Sequence, residues 1–146
     1  MPKISTLKKA HEVLLKLGFE SVLNENSVAI RVGGSDFPFT AVITHNASTE
    51  HFRITCLLST LKKVKKESLF RFMFAALDAN SRIAPFAYAI LTERDDWEED
   101  NENDWPVVLT HSIPIGDFST GELESAMHSL VQALLDSANV VDILSE

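Results

Sequence analysis

Between Ser5 and Leu17, apolar residues recur at Leu7, Ala10, Val13, Leu14 and Leu17, the three-and-four spacing of one helical face. Gly18 predicts the end of that helix, because glycine takes the left-handed conformation that closes a last turn, and Phe19 can then fold back on the apolar side. Three segments of period two follow. Val28, Ile30 and Val32 alternate with Ala29 and Arg31; Phe37, Phe39, Ala41 and Ile43 alternate with Thr40, Val42 and Thr44; Phe52, Ile54, Cys56 and Leu58 alternate with Arg53, Thr55 and Leu57. These patterns predict strands. The joins at Asn24–Asn26, Gly33–Asp36 and Asn46–Glu50 are short and rich in turn formers, so neighbours should pair antiparallel, and residues 19–23 can add a short leading strand.

Lys66 to Asn80 then carries three phenylalanines, one methionine, two leucines and three alanines over about four helical turns. Beyond it, Ile83 to Leu91 is apolar on both alternating faces, Phe86, Tyr88 and Ile90 against Ala87, Ala89 and Leu91, the pattern of a strand covered on two sides. Trp105 to Ile115 supplies its partner, with Val107, Leu109 and Ile113 on one face and Pro106 and Pro114 suited to the strand ends. Ser119-Thr-Gly-Glu122 is a capping box. It opens a long C-terminal helix whose buried stripe is Leu123, Met127, Leu130, Leu134, Ala138 and Val141 and whose wet side holds Glu124, His128, Gln132 and Asn139.

The order is helix, three or four strands, helix, two strands, long C-terminal helix, which predicts an α+β fold with a mostly antiparallel sheet. No internal repeat or linker divides it, and residues 1–146 read as one domain. At about 100° per residue, Phe72, Ala76, Leu69, Met73, Leu77, Phe70 and Phe74 cover roughly 220° of the central helix, leaving only Glu67, Arg71, Ala75 and Asp78 for the remainder. A helix lying on one sheet needs an apolar arc nearer 100°. The excess predicts a second buried surface. It points to a homodimer in which Phe70 and Phe74, at the margin of the arc, and Leu77 beside them make the contact. The alternative cover is the Lys62–Lys66 connection or the acidic segment Glu93 to Asp104, folded over the same face.

With 146 residues, 45% of them hydrophobic, the chain can bury a core without disulfides or metals. Its one cysteine, Cys56, lies in an apolar run and reads as a small, inert core residue. No apolar run approaches the 18 or so residues needed to span a bilayer, and the N-terminus carries no leader pattern, so the expectation is a soluble cytoplasmic protein without membrane insertion. Glu93 to Asp104 holds eight acids and one arginine, net −7 of the chain's −8, so the body is nearly neutral. That leaves no basic face to displace counterions from nucleic acid. The lysines at 62, 63, 65 and 66 read as a solvated connection. A dozen mostly charged residues exceed what a hairpin needs. The acidic segment is expected to be mobile and to keep the neighbouring strand edge from pairing, with Trp97 in its middle a candidate anchor for a partner.

The helix end Ala76-Leu-Asp-Ala-Asn80 running into Ile83–Leu91, then the strand Val107–Ile115, then a capped helix to the C-terminus, together resemble the YbjN-like family of bacterial sensory transduction regulators. The likeness spans most of the chain by pattern, and its motifs are loose. It implies a fold similar to that of type III secretion chaperones, which act as dimers that hold an extended segment of a partner. The family's tight Asp and Gly hairpin before the last strand is replaced here by Glu93 to Asp104.

No catalytic signature is present: no Gly-x-Ser-x-Gly, no His-Glu-x-x-His, no phosphate-cradling glycine loop. The five histidines, His11, His45, His51, His111 and His128, stand singly with no pair at metal-ligand spacing, and Asp95–Asp100 lacks the alternating oxygens and sharp-turn glycine of a calcium loop. No catalytic, cofactor-binding or metal residue is assigned and no cofactor is expected. Two functions fit. One is a non-enzymatic homodimeric module that binds a protein or peptide segment as a chaperone or regulator. The alternative is a small-molecule sensor with a pocket between sheet and helices.

Overall fold

The computed structural model describes residues 3–33, 39–46, 48–92 and 104–146. Helix α1 (Leu7–Lys16) is followed by strands β1 (Ser21–Leu23), β2 (Ser27–Val32), β3 (Phe39–Asn46) and β4 (His51–Thr60). Two short 3₁₀ turns, Leu61–Lys63 and Lys66–Ser68, lead into α2 (Leu69–Ala79). Strands β5 (Ala87–Ile90) and β6 (Pro106–Pro114), a 3₁₀ turn, α3 (Thr120–Asp136) and α4 (Ala138–Leu144) complete the elements of the described residues. Every strand pair is antiparallel, and the sheet order is β1-β2-β3-β4-β6-β5.

The period-two residues fall in register. Ile30, Ala41, Cys56 and Leu109 lie across from one another, as do Val28, Ile43 and Ile54. This face meets all four helices in one contiguous core. The opposite face presents Arg31, Thr40, Thr44 and Ser112 to solvent. Cys56 is fully buried and its thiol is pushed up to about 12 by desolvation, so at neutral pH it is a protonated core residue. The alternation holds through Leu57, which faces outward, and Leu58, which packs against the core; a register shift between Leu57 and Ser59 then pairs Ser59 with Val107 and Thr60 with Pro106.

α1 ends as its glycine requires. Gly18 sits at φ 92°, Phe19 N–H donates to Leu14 O at 3.0 Å and Gly18 N–H to Leu15 O at 3.1 Å, the paired bonds of a Schellman close. At α3 the Ser119 hydroxyl accepts from Glu122 N–H at 3.1 Å, the cap expected from the capping box.

Two regions differ from the sequence pattern. β5 is an edge strand that begins at Ala87. Ser81 to Phe86 form turns instead, with Ser81 N–H on Asp78 O, Arg82 N–H on Ala79 O and Phe86 N–H on Ile83 O. Phe86 and Tyr88 are buried toward the helices, whereas Ala87 and Ala89 are only half-buried on the other side, so the strand is covered on one face and not two. Small side chains there leave little apolar area in water.

The long helix is present as α3, but the last turns of its expected stripe belong to a separate helix, α4. At the join, buried Ser137 donates its hydroxyl back to Ala133 O at 2.5 Å and meets Tyr88 Oη at 2.6 Å. Such back-bonding bends helices. After Leu130 the buried set becomes Ala133, Val140, Val141, Ile143 and Leu144: of the expected stripe Val141 is buried, while Leu134 is half-buried and Ala138 exposed.

Candidate protein-interaction surface

α2 is built from good helix formers, leucine, methionine, alanine and arginine, which carry the aromatic residues between them. It enters directly from a 3₁₀ turn without a side-chain cap on its amides: the Ser68 hydroxyl instead accepts from Arg71 Nη2 at 3.2 Å. Its inner side buries Phe72, Ala75, Ala76 and Ala79. The pattern had assigned Ala75 to the polar remainder. It is buried because α4 packs along that flank, held there by an ion pair between Arg71 and Glu146.

The outer side is apolar and open. Phe70 is 81% exposed, Leu77 72%, Phe74 67% and Met73 41%. The Phe70 and Phe74 rings stack with centroids 6.5 Å apart and planes 24° from parallel, so they form one continuous ridge. A groove lies on each side of it. One, of about 550 Å³, runs between Phe70, Arg71 and Phe74 on α2 and Asn139, Asp142 and Ile143 on α4. The other, of about 260 Å³, lies between α2 and the edge strand, bounded by Met73, Ala76, Leu77, Tyr88 and Ile90. Single exposed apolar side chains are ordinary, but a contiguous patch marks an interaction site.

The structure thus brings three of the four residues predicted for an interface, Phe70, Phe74 and Leu77, onto one exposed strip. Trp97 and the rest of the acidic segment up to residue 103 lie outside the described residues. Met73, Tyr88 and Ile90 were not assigned to this surface from sequence. Their signal was there only in part: Met73 lies within the apolar arc, but nothing in the pattern tells which strand flanks α2.

Among the described residues, no three His, Cys, Asp or Glu side chains converge on a point that could hold a metal. His11 Nδ1 does meet Ser21 Oγ at 2.7 Å, an arrangement the spacing did not suggest. That bond ties α1 to β1, and no carboxylate among the described residues orients the ring as a hydrolytic triad would require. His111 sits edge-on to Phe86, with centroids 5.3 Å apart. Burial holds its pKa below the ordinary histidine range, with Glu122 pulling weakly upward. No helix among the described residues is long and apolar enough to cross a membrane.

No protein-family model matches the chain, and no curated protein matches it in sequence. Solved structures match its fold. YbjN of E. coli, a proposed transcription regulator, superposes with a TM-score of 0.61 at 12% identity, over 93% of this chain and 88% of its own. The fold is YbjN-like. A chain of the ExsC–ExsE complex matches with a TM-score of 0.56 at 13% identity, over 92% of this chain and 96% of that one. A chain of the HopA1–SchA chaperone–effector complex matches at 0.50 and 13% identity, over 84% of each. The type III secretion chaperone-like α+β fold expected from the sequence is the fold found. At these identities the likeness is one of fold alone.

Proposed function

We propose that the protein is a non-enzymatic, cytoplasmic, homodimeric module of one domain that binds a protein or peptide segment in a chaperone-like or regulatory role. The exposed ridge of Phe70, Phe74 and Leu77 carries this reading. Covering each of these side chains gains roughly 1.5–3 kcal/mol. A two-fold interface gains it on both copies. Ridge and grooves lie side by side on one face, which suits self-complementary packing, and the fold neighbours include a chain from a chaperone–effector complex. Light scattering at micromolar concentration is expected to report twice the chain mass for the wild type and a single chain mass for the Phe70→Glu, Phe74→Glu double variant with unchanged circular dichroism. A monomeric wild type would remove the dimer from the proposal.

A second reading, a small-molecule sensor, draws on one feature. Where α3 meets α4 above the sheet end, an apolar pocket of about 210 Å³ is lined by Phe39, Val131, Leu134, Leu135 and Val141, with Asp142 at its side. An engineered cavity of about 150 Å³ accommodates benzene, so the volume suits a compact apolar molecule. Native mass spectrometry of protein purified from its own cell separates the readings: a retained small molecule supports the sensor, and an unloaded dimer supports the protein-binding module.

A further inference from the structure

The sheet ends at β5, and the chain itself occupies much of that edge. In an antiparallel pair, residues alternate between those whose peptide groups bond the neighbouring strand and those whose groups point away. Leu91 N–H donates to Pro106 O at 3.0 Å, which makes Ala87, Ala89 and Leu91 the inward set and Phe86, Tyr88 and Ile90 the outward one. The outward groups are what an incoming strand would pair with. Tyr88 N–H, however, donates to Asn80 Oδ1 at 2.7 Å, and Tyr88 O accepts from Asn80 Nδ2 at 3.4 Å. One side-chain amide therefore serves both peptide groups of a strand residue, as the backbone of a neighbouring strand would. Phe86 N–H is also engaged, by Ile83 O at 3.0 Å.

Asn80 reaches this position because it is the C-cap residue of α2, where its own N–H still bonds Ala76 O. Tyr88 is held to receive it, since its hydroxyl is pinned on the inner side by Ser137 at 2.6 Å. We propose that Asn80 is an edge guard: its amide closes β5 to strand addition, so any partner at this end engages side chains in the groove between α2 and β5 and does not extend the sheet. The device is independent of whether the partner is a second copy.

The test uses the full chain carrying Phe70→Glu and Phe74→Glu, so that association through the ridge is removed and cannot be mistaken for edge pairing. Amide hydrogen exchange reads the guard directly. Before any change at position 80, the Tyr88 amide should exchange about as slowly as the inward-facing Ala89; fast exchange there overturns the proposal. Asn80→Ala should speed Tyr88 exchange at least tenfold relative to Leu109 and produce concentration-dependent association by sedimentation. Asn80→Asp, which keeps the acceptor for Tyr88 N–H, should retain slow exchange and a monomer. Unchanged Tyr88 exchange in a folded Asn80→Ala variant, or lost protection in Asn80→Asp, overturns the proposal. Should Asn80→Ala not fold, the two remaining measurements decide.

Discussion

Helices α2 and α3 rest on the same sheet face, but their sequences are matched to it very differently. α3 is capped by Ser119 and buries Leu123, Met127 and Leu130, while Glu124, His128 and Gln132 face water. Most of its apolar side chains are covered by the fold it sits in, with Val131 and Leu135 near its C-terminal end the exposed exceptions. α2 has no side-chain cap on its amides and buries Phe72, Ala75, Ala76 and Ala79, yet it leaves Phe70, Phe74 and Leu77 in solvent. The difference separates apolar residues that the fold buries from apolar residues that it leaves exposed, within one short helix.

The comparison is sharpest at neighbouring phenylalanines. Phe72→Ala should cost about 3–5 kcal/mol, because it empties a packed site. Phe74→Ala in a Phe70→Glu background, where the ridge is already unpaired, should stay within about 0.5 kcal/mol. Urea denaturation of both variants checks this, and equal losses would mean that the outer ridge belongs to the core.

A smaller effect should separate the two helix starts. Ser119→Ala removes a hydroxyl that accepts from Glu122 N–H and should cost about 0.5–2 kcal/mol. Ser68→Ala should cost less than that, since the Ser68 oxygen accepts from the Arg71 side chain and caps no amide. Denaturation midpoints of the two variants give the order, and a larger loss at Ser68 would contradict the description of α2 as uncapped.

The smallest expected effect lies where α3 meets the sheet. His111 has its pKa lowered by burial, against an upward pull from Glu122 on α3. The folded state therefore binds fewer protons than the unfolded one just below the unfolded value, about 6.5. Stability should be unaffected by this group above about pH 6.5 and should fall as the pH drops from there toward the folded pKa. His111→Gln should flatten that part of the profile, measured as denaturation midpoints at several pH values. An unchanged slope would assign the dependence to other groups.

Much of the fold was legible in the chain because its signals are local. Period-two runs such as Phe52-Arg-Ile-Thr-Cys56 place side chains on alternate faces whatever the neighbouring strand is. Gly18 and Ser119 act within one helical turn, and both helix ends formed as their residues require. The apolar excess of α2 was readable too, since the angular spread of Phe70, Phe74 and Leu77 is a property of the helix alone.

What the chain did not reveal depends on contacts between distant segments. β6 inserts beside β4 and leaves β5 at the edge, an order no periodicity encodes. Ala75 is buried because α4 covers it, and α4 exists as a separate helix because Ser137 can bond both Ala133 and Tyr88, residues four and forty-nine positions away. Asn80 looks like an ordinary helix end in sequence and acquires its hold on Tyr88 only when the chain turns back on itself. Local propensity and pattern thus determined which elements form and which faces are apolar; tertiary packing decided which of those faces the protein covers by itself.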